Sequence, residues 1–457
     1  MAHGEEWKTM SASNGASDDG ASREIVQEAR RRIPDLRMRA CSVAVVGYDQ
    51  RPRANAAVEV EQLTHEFAFG DQLWDLDRLY RDGRWETDKA VYWRSLLSGA
   101  LSAATALCYW TERPRNDGPK TEDFQGRPQL EGFARCVEWA SAAGLKVKGH
   151  PLYWSIPKCV PEWVKRYDHE TRLKFAEVRV RSLVARFKGL VQTWDAVNEP
   201  LWEPTLANLN SRSWPHIEPI ASIADEIKTV LTWCREEDPD AVYLVNDYGL
   251  ESDATFVPTT SDGMRVTASL QRQRMAKLIE ELDRRGAPPD AVGMQAHTGG
   301  MINHATQNAV YDELAMTGLP LHVTEFWPPT GDLTSPDMSA DEVAEREAAY
   351  VEDYLTTAFG HPRIAAFFFW GFLKRSVRFE SYSSHEPSPL YHRVRRLINE
   401  TWNTRLSLTT DAGGRITFRG FPGQYSIRVR SQDGTFRGRR FSVSESGTNS
   451  QVLSFTL

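Results

Sequence analysis

The chain has 457 residues, 41% of them hydrophobic and 26% charged, and a formal net charge of −7. That balance describes a soluble globular protein and excludes a general nucleic-acid binder, whose affinity rests on neutralising phosphates. No stretch approaches the roughly eighteen apolar residues of a membrane span. The cysteines (Cys41, Cys108, Cys136, Cys159, Cys234) form neither a CxxC pair nor a cluster with histidine, so neither a structural zinc nor a disulfide framework is expected.

In chain order, the start "MAHGEEWKTMSASNGASDDGAS" lacks the apolar segment of a signal peptide, which leaves a cytoplasmic location or a signal outside this sequence. Its polar run marks residues 1–22 as a disordered leader. The Arg-rich "EARRRIPDLRMR" reads as a helix end and its exposed face. Residues 37–63 read as two strands around a polar turn, and with the preceding helix they form a unit at 23–63. From 64 to 401 short apolar runs alternate with amphipathic stretches. The runs read as strands are "EFAFG" (66–70), "LSAATALCYW" (101–110), "LKVKGHPLYW" (145–154), "VQTWDAVNE" (191–199), "AVYLVND" (241–247), "AVGMQAH" (291–297), "LPLHVTE" (319–325) and "IAAFFFWG" (364–371). Helical stretches such as "ASLQRQRMAKLIEELDRRG" and "SADEVAEREAAYVEDYLTTAFG" lie between them and end in Gly, a helix stop signal. Eight strands alternating with helices predict an α/β fold, a (β/α)₈ TIM barrel. The last segment, 402–457, alternates with period two: Tyr425, Ile427 and Val429 face one way, Ser426, Arg428 and Arg430 the other. Neither flank carries enough apolar residues for its own core, so both are expected to build one small accessory β-sandwich into which the barrel is inserted. The two flanks also resemble the halves of a transthyretin-like or carboxypeptidase-regulatory-like domain.

Catalytic groups of such barrels sit at the C-terminal ends of the strands. Several of the predicted strands end in groups that bind sugar or do chemistry: His150 with Trp154, Glu199, His297, Glu325 and Trp370. Glycosidic bond cleavage needs a proton for the leaving oxygen and a carboxylate to meet an oxocarbenium-like carbon, and Glu199 and Glu325 across the mouth would supply both. Asn198 offers an amide to a sugar 2-hydroxyl. Flat aromatic faces suit sugar rings, but most tryptophan in any protein is core, so the 15 tryptophans decide little. No GxGxxG, P-loop, GxSxG or HExxH is present, which removes nucleotide, serine-hydrolase and zincin readings. His322, out of phase with Val323 and Glu325, is expected to face the helix layer, and Cys108 to be a buried inert thiol.

The barrel resembles glycoside hydrolase family 10, the endo-β-1,4-xylanases. "WDAVNEP" looks like the family's acid/base motif on strand four and "LHVTEF" its nucleophile motif on strand seven. The resemblance implies Glu199 as acid/base and Glu325 as nucleophile. "KGHPLYW" resembles the strand-three motif and implies His150 and Trp154 at the −1 sugar. "VNDYG" implies Tyr248, "VGMQAH" implies Gln295 and His297, and "FFFWG" implies Trp370. The β-rich leader and tail look like the plant-type branch, and the likeness runs over roughly 22–447.

The departures are specific. Where the family grips the sugar beyond −1 with Glu-Asn and Lys, this chain reads Thr105-Ala106 and Tyr109. Where an Asp usually holds the strand-six histidine, it has Trp327, an added aromatic face for substrate. The resemblance therefore implies a retaining, endo-acting hydrolase of β-1,4-linked polysaccharide, most simply xylan. The alternatives are the same chemistry on another glycone and a catalytically silent carbohydrate-binding barrel. No cofactor or metal is expected, and the partner is a poly- or oligosaccharide, with neither nucleic acid nor membrane, bound by a monomer.

Overall fold

In the computed structural model the described residues are 18–111, 120–123, 125–210, 216–253, 259, 263–328, 337–375, 386–431 and 434–456. A helix, Asp18–Arg37, opens the chain, so residues 18–22 of the expected leader are helical; residues 1–17 lie outside the described residues. That helix packs on the barrel as well as touching the accessory sheets. The Arg37 guanidinium donates to the carbonyls of Phe359, His361 and Ile364 and lies over the rings of Phe67 and Phe359. It thereby satisfies carbonyls that the helix Ala340–Phe359 and the following turn would otherwise leave bare.

Two strands follow, β1 (Arg39–Gly47) and β2 (Ala57–Gln62). The barrel comprises β3 (Ala68–Gln72), β4 (Ala103–Leu107), β5 (Lys146–His150), β6 (Thr193–Asn198), β7 (Val242–Asp247), β8 (Ala291–Met294), β9 (Leu321–Phe326) and β10 (Ile364–Phe369). They close in the order β10-β3-β4-β5-β6-β7-β8-β9, every pairing parallel. Covered by helices outside and side chains inside, strands such as β4, β8 and β9 are buried at every residue, which is why they read as unbroken apolar runs. Ala68, Ala103, Ala366 and Phe368 form a small cluster separate from the large sheet–helix core and fill the barrel axis.

Two bulges set what the mouth contains. Between β9 and β10 the register passes from Phe367↔Val323 to Phe369↔Phe326, so β9 carries one extra residue between Val323 and Phe326. Val323 and Phe326 belong to the sheet–helix core, Phe326 stacking on Tyr354 at 4.2 Å. Thr324 and Glu325 then both face inward, each bonded to Asn246. His322 therefore faces the barrel interior, where it senses Lys148 and Asp195, and not the helix layer expected from a strict alternation. Its pKa is lowered to about 4 by burial and the Lys148 charge, so it is neutral. A second bulge on β6 lies between Asp195 and Val197 and lets Asp195 and Asn198 share the inner face.

The C-terminal strands are β11 (Arg405–Thr409), β12 (Arg415–Gly420), β13 (Gly423–Arg430), β14 (Phe436–Val443) and β15 (Asn449–Phe455). One sheet runs β12-β1-β15 and the other β11-β2-β13-β14. Each N-terminal strand lies between two C-terminal ones. The two sheets share one core of Cys41, Val43, Val45, Val58, Val60, Ile416, Tyr425, Ile427, Val429, Phe441, Val443 and Phe455. Each fully buried large side chain there contributes roughly 1.5–3 kcal/mol, so removing either flank strips the other of its partner surface. All of Cys41, Cys108, Cys136, Cys159 and Cys234 are free and buried, and burial pushes the Cys108 thiol up to about 12. Among the described residues no helix is long and apolar enough to cross a membrane.

Deleting residues 404–457 removes both neighbours of β1. Amide exchange at 41–46 is then expected to lose protection; unchanged protection there would show that β1 does not depend on the tail.

Candidate functional site

The C-terminal ends of the barrel strands converge on two carboxyl groups. Glu325, at the end of β9, is buried; its Oε1 accepts from Asn246 Nδ2 at 2.8 Å and its Oε2 lies 3.2 Å from His297 Nε2. Glu199 follows β6 with φ +53°, and its partly buried carboxyl accepts from Gln295 Nε2 at 2.9 Å. Ala296, beside His297, also has positive φ, +57°. Such left-handed geometry costs a non-glycine residue about 1–3 kcal/mol and here turns the neighbouring side chains into the mouth. The Glu199 amide is held in place by donating to the carbonyl of Asn246 at 2.7 Å.

An amide network joins the two carboxyls. Asn246 Nδ2 donates to Asn198 Oδ1 at 2.8 Å as well as to Glu325, and Gln295 Nε2 reaches the same Asn198 oxygen at 3.4 Å as well as Glu199. Both donors fall on Asn198 Oδ1, so its own Nδ2 is left to donate into the cleft. Gly293, on the neighbouring strand, makes room for this: a Cβ there would come within 2.6 Å of Asn246 Oδ1.

Beneath Glu325 lies a buried ionic chain. Lys148 Nζ is 2.5 Å from Asp195 Oδ2, the same oxygen is 2.7 Å from His150 Nδ1, and His150 Nδ1 is 3.7 Å from Glu325 Oε1. Lys148 and Asp195 are wholly buried, and the ammonium also lies 5.1 Å from the Phe368 ring centroid. His150, Asp195 and Glu325 are close enough together to offer ligands to a metal ion, and the Lys148 ammonium lies against Asp195 Oδ2.

These surroundings separate the two glutamates. Burial pushes Glu199 above its ordinary carboxylate value; the Gln295 bond and the Lys158 charge oppose this, and the Glu325 charge adds to it. Burial pushes Glu325 up too, but the charges of His150, His297 and Lys148 and the His297 hydrogen bond outweigh it, and Glu325 is held below its ordinary value. The surroundings thus push the two carboxyls in opposite directions from their ordinary value.

Of the other residues expected here, Asn198, Tyr248 and Gln295 are buried in the walls, Tyr248 beside Asp247 and Glu199. Trp154 and Trp370 are half-buried, Trp370 meeting the rings of His150 (5.1 Å) and His297 (6.5 Å). Trp327 stands 39% exposed on the rim and packs over Gly371, where a Cβ would come within 3.0 Å of its ring. His297, expected to lack its usual carboxylate, is held by Glu325 itself. Thr105 and Ala106 do not face a sugar: both are wholly buried in β4, and only Tyr109 of that trio is partly exposed. Lys148, Asp195, Asn246 and Asp71 were not singled out from sequence. Asp71 accepts from the amides of Gly371, Phe372 and Leu373 (2.8–3.1 Å) and so fixes the turn that carries Trp370. A charged residue in the middle of a strand, Lys148 in "KVKGH" and Asp195 in "TWDAVN", is the signal that marks two of them.

Two outcomes follow. Lys148→Met leaves Asp195 buried without its main counter-ion and is expected to cost about 3–5 kcal/mol in urea unfolding; a loss below about 1 kcal/mol would deny the pairing this role. A carboxyl with a raised native pKa loses stability as pH rises from its unfolded value through the raised one, whereas the Glu325 contribution is present above the ordinary value and lost as pH falls through its depressed one. Glu199→Gln should therefore stabilise the protein at about pH 7 and not at about pH 4; equal effects at both pH values would contradict a burial cost on the Glu199 charge.

The profile of Glycosyl hydrolase family 10 matches residues 119–392 and so begins after β3 and β4. Similar proteins include the anti-sigma-I factor RsgI6 of Acetivibrio thermocellus, 26% identical over 414 residues, covering 88% of this chain and 46% of the relative. Another is endo-1,4-beta-xylanase 2 of Arabidopsis thaliana, 23% identical over 411 residues, covering 88% of this chain and 33% of the plant protein. The chain thus spans less than half the length of either relative. In fold it is similar to xylanase 10B from Thermotoga petrophila RKU-1, with a TM-score of 0.52 at 20% identity, covering 74% of this chain and 95% of that one. The family profile spans six of the eight barrel strands and both glutamate-bearing motifs: the chain belongs to glycosyl hydrolase family 10.

Proposed function

We propose that this chain is a retaining glycoside hydrolase that cleaves β-1,4-linked polysaccharide of the xylan class, with Glu325 as nucleophile and Glu199 as acid/base. The observation that carries the reading is the opposed electrostatics of the pair, Glu325 held low and Glu199 held high within one hydrogen-bonded network. A Glu325 oxygen attacks the anomeric carbon as the bond to the leaving sugar oxygen breaks, and that oxygen takes the Glu199 proton. Glu199, now a carboxylate, removes a proton from water; the water oxygen bonds to the anomeric carbon and Glu325 leaves, restoring both groups. Ionised Glu325 accepts from His297 Nε2, and loses negative charge as its bond to the sugar forms. Asn198 Nδ2 donates to the sugar 2-hydroxyl, a contact that strengthens as the ring carbon becomes cationic. The xylanase names of the plant relative and of the Thermotoga structure support the substrate class.

A second reading, the same chemistry on a different or decorated glycone, is favoured by β4, which brings no exposed polar side chain to the mouth. A panel of aryl β-glycosides and polysaccharides with product sizing separates the two; a wild-type protein that binds these glycans and cleaves none would support a silent binding barrel instead.

The Glu199 and Glu325 carboxyls are expected about 5–5.5 Å apart, and product NMR is expected to show net retention. Net inversion would end the proposed mechanism. Glu325→Gln should abolish turnover of every substrate. Glu199→Ala should lower turnover of polysaccharide by roughly 10²–10⁴-fold and spare aryl glycosides with good leaving groups, which need little protonation. Equal losses on both substrate types would reverse the role assignment.

A further inference from the structure

Charge is unevenly shared along the chain. Residues 402–457 carry eight arginines, no lysine and three carboxylates, within a total of −7. The other segment of the accessory sandwich, 39–63, is balanced, with three arginines and three carboxylates. Positive charge therefore collects on the C-terminal strands of the sandwich, and the remainder of the chain is acidic.

Three of these arginines share one sheet face. Successive residues of a strand point to opposite sides, and Tyr425, Ile427 and Val429 are in the core, so Ser426, Arg428 and Arg430 lie on the outer face of β13. On β14, Phe441 and Val443 are in the core and Phe436, Gly438 and Arg440 lie on the outer face. Pairing places Arg430 opposite Phe436, Arg428 opposite Gly438 and Ser426 opposite Arg440. The Phe436 side chain is 42% exposed, and the Arg428 guanidinium lies 5.5 Å from its ring centroid. Gly438 leaves a gap between that ring and Arg440; a Cβ there would meet nothing nearer than the Ile427 carbonyl at 3.9 Å. On the β2 side Glu59 pairs with Arg428 at 2.5 Å and Glu61 with Arg405 at 2.8 Å. Arg430 and Arg440 are exposed and pair with no carboxylate among the described residues. Charge on an edge strand such as β14 also guards against strand addition, a task that lysine performs as well. That task calls neither for arginine alone nor for an exposed phenylalanine among the charges.

The geometry points to a binding site on this outer face for a polysaccharide that carries carboxylates, a uronate sugar stacking on Phe436 while Arg428, Arg430 and Arg440 take its charge. A guanidinium presents two N–H groups in the geometry of a carboxylate, and an aromatic face takes the C–H side of a pyranose. The acidic remainder of the chain disfavours a long nucleic acid, which would have to run beside it. The site lies outside residues 119–392, the segment matched by the family profile, and is independent of how Glu199 and Glu325 react. It tethers the barrel to a charged glycan without touching the bond to be cut.

The test uses the full chain carrying Glu325→Gln, binding to an immobilised uronate-bearing β-1,4-xylan or to the same polymer with its carboxyls reduced to alcohols. Affinity is expected to fall roughly tenfold on carboxyl reduction. Substituting Arg428→Ser, Arg430→Ser and Arg440→Ser together should cost about the same factor on the native polymer and nothing on the reduced one. Raising salt from about 0.01 to 0.15 M should weaken binding of the native polymer more than of the reduced one. Phe436→Ala should lower affinity for the native polymer, and Phe436→Tyr should keep it. Equal affinity for native and reduced polymer, or a triple variant that binds the native polymer like its parent, would overturn the inference. Binding of duplex DNA or of phosphatidylserine vesicles as tight as that of the uronate polymer would overturn it too. Thermal melting reports whether the triple substitution unfolds the sandwich, and the carboxyl-reduction comparison, which needs none of the arginine substitutions, decides the matter in that case.

Discussion

The site depends on a buried charge pair set beneath its two glutamates. Lys148 and Asp195 meet at 2.5 Å with no exposure to solvent, on neighbouring strands β5 and β6. Burying two ions costs several kcal/mol each before their attraction offsets it, so the pair is weak as a stabiliser and strong as a specifier. Here it specifies sign. Asp195 holds His150 by Nδ1, and the charges of His150 and Lys148 act on Glu325. Glu199 sits farther along the network, bonded to a neutral amide, and feels burial most. Two like groups in one low-dielectric mouth resist ionising together, and this asymmetry decides which one yields.

Amides suit the connection between them. Asn198, Asn246 and Gln295 pass hydrogen bonds from one carboxyl to the other without adding charge, so they fix positions and leave the electrostatics to the ionic chain below. The backbone carries part of the cost, through the left-handed conformations of Glu199 and Ala296.

Much of this was legible in the residues. The strand–helix alternation, the glutamates at the ends of two strands and the split β-domain all express local rules of burial and period that survive into the fold. What failed were arguments of phase. A strict alternation counted back from Glu325 turns His322 outward, but the extra residue in β9 resets the count, and bulges leave little trace in composition. Thr105 and Ala106 stand where the family's Glu-Asn grips a sugar, and β4 buries both. Lys148 and Asp195 stand as charges in the middle of predicted strands, yet that they meet depends on how the strands pair, a long-range property. The Arg-rich segment near the N-terminus is the helix end and exposed face it reads as, with Arg30 and Arg31 exposed, while Arg37 also seals the carbonyls at the end of a barrel helix.

The central claim is that the surroundings drive the two glutamates apart. Carbon-13 NMR titration of the side-chain carboxyls, assigned with Glu199→Gln and Glu325→Gln, measures this directly. The account predicts that Glu325 titrates below the ordinary glutamate value of about 4.3 and Glu199 above it, with Lys148→Met raising the Glu325 midpoint. Two glutamates titrating together near the ordinary value, or a Glu325 midpoint indifferent to Lys148, would contradict it.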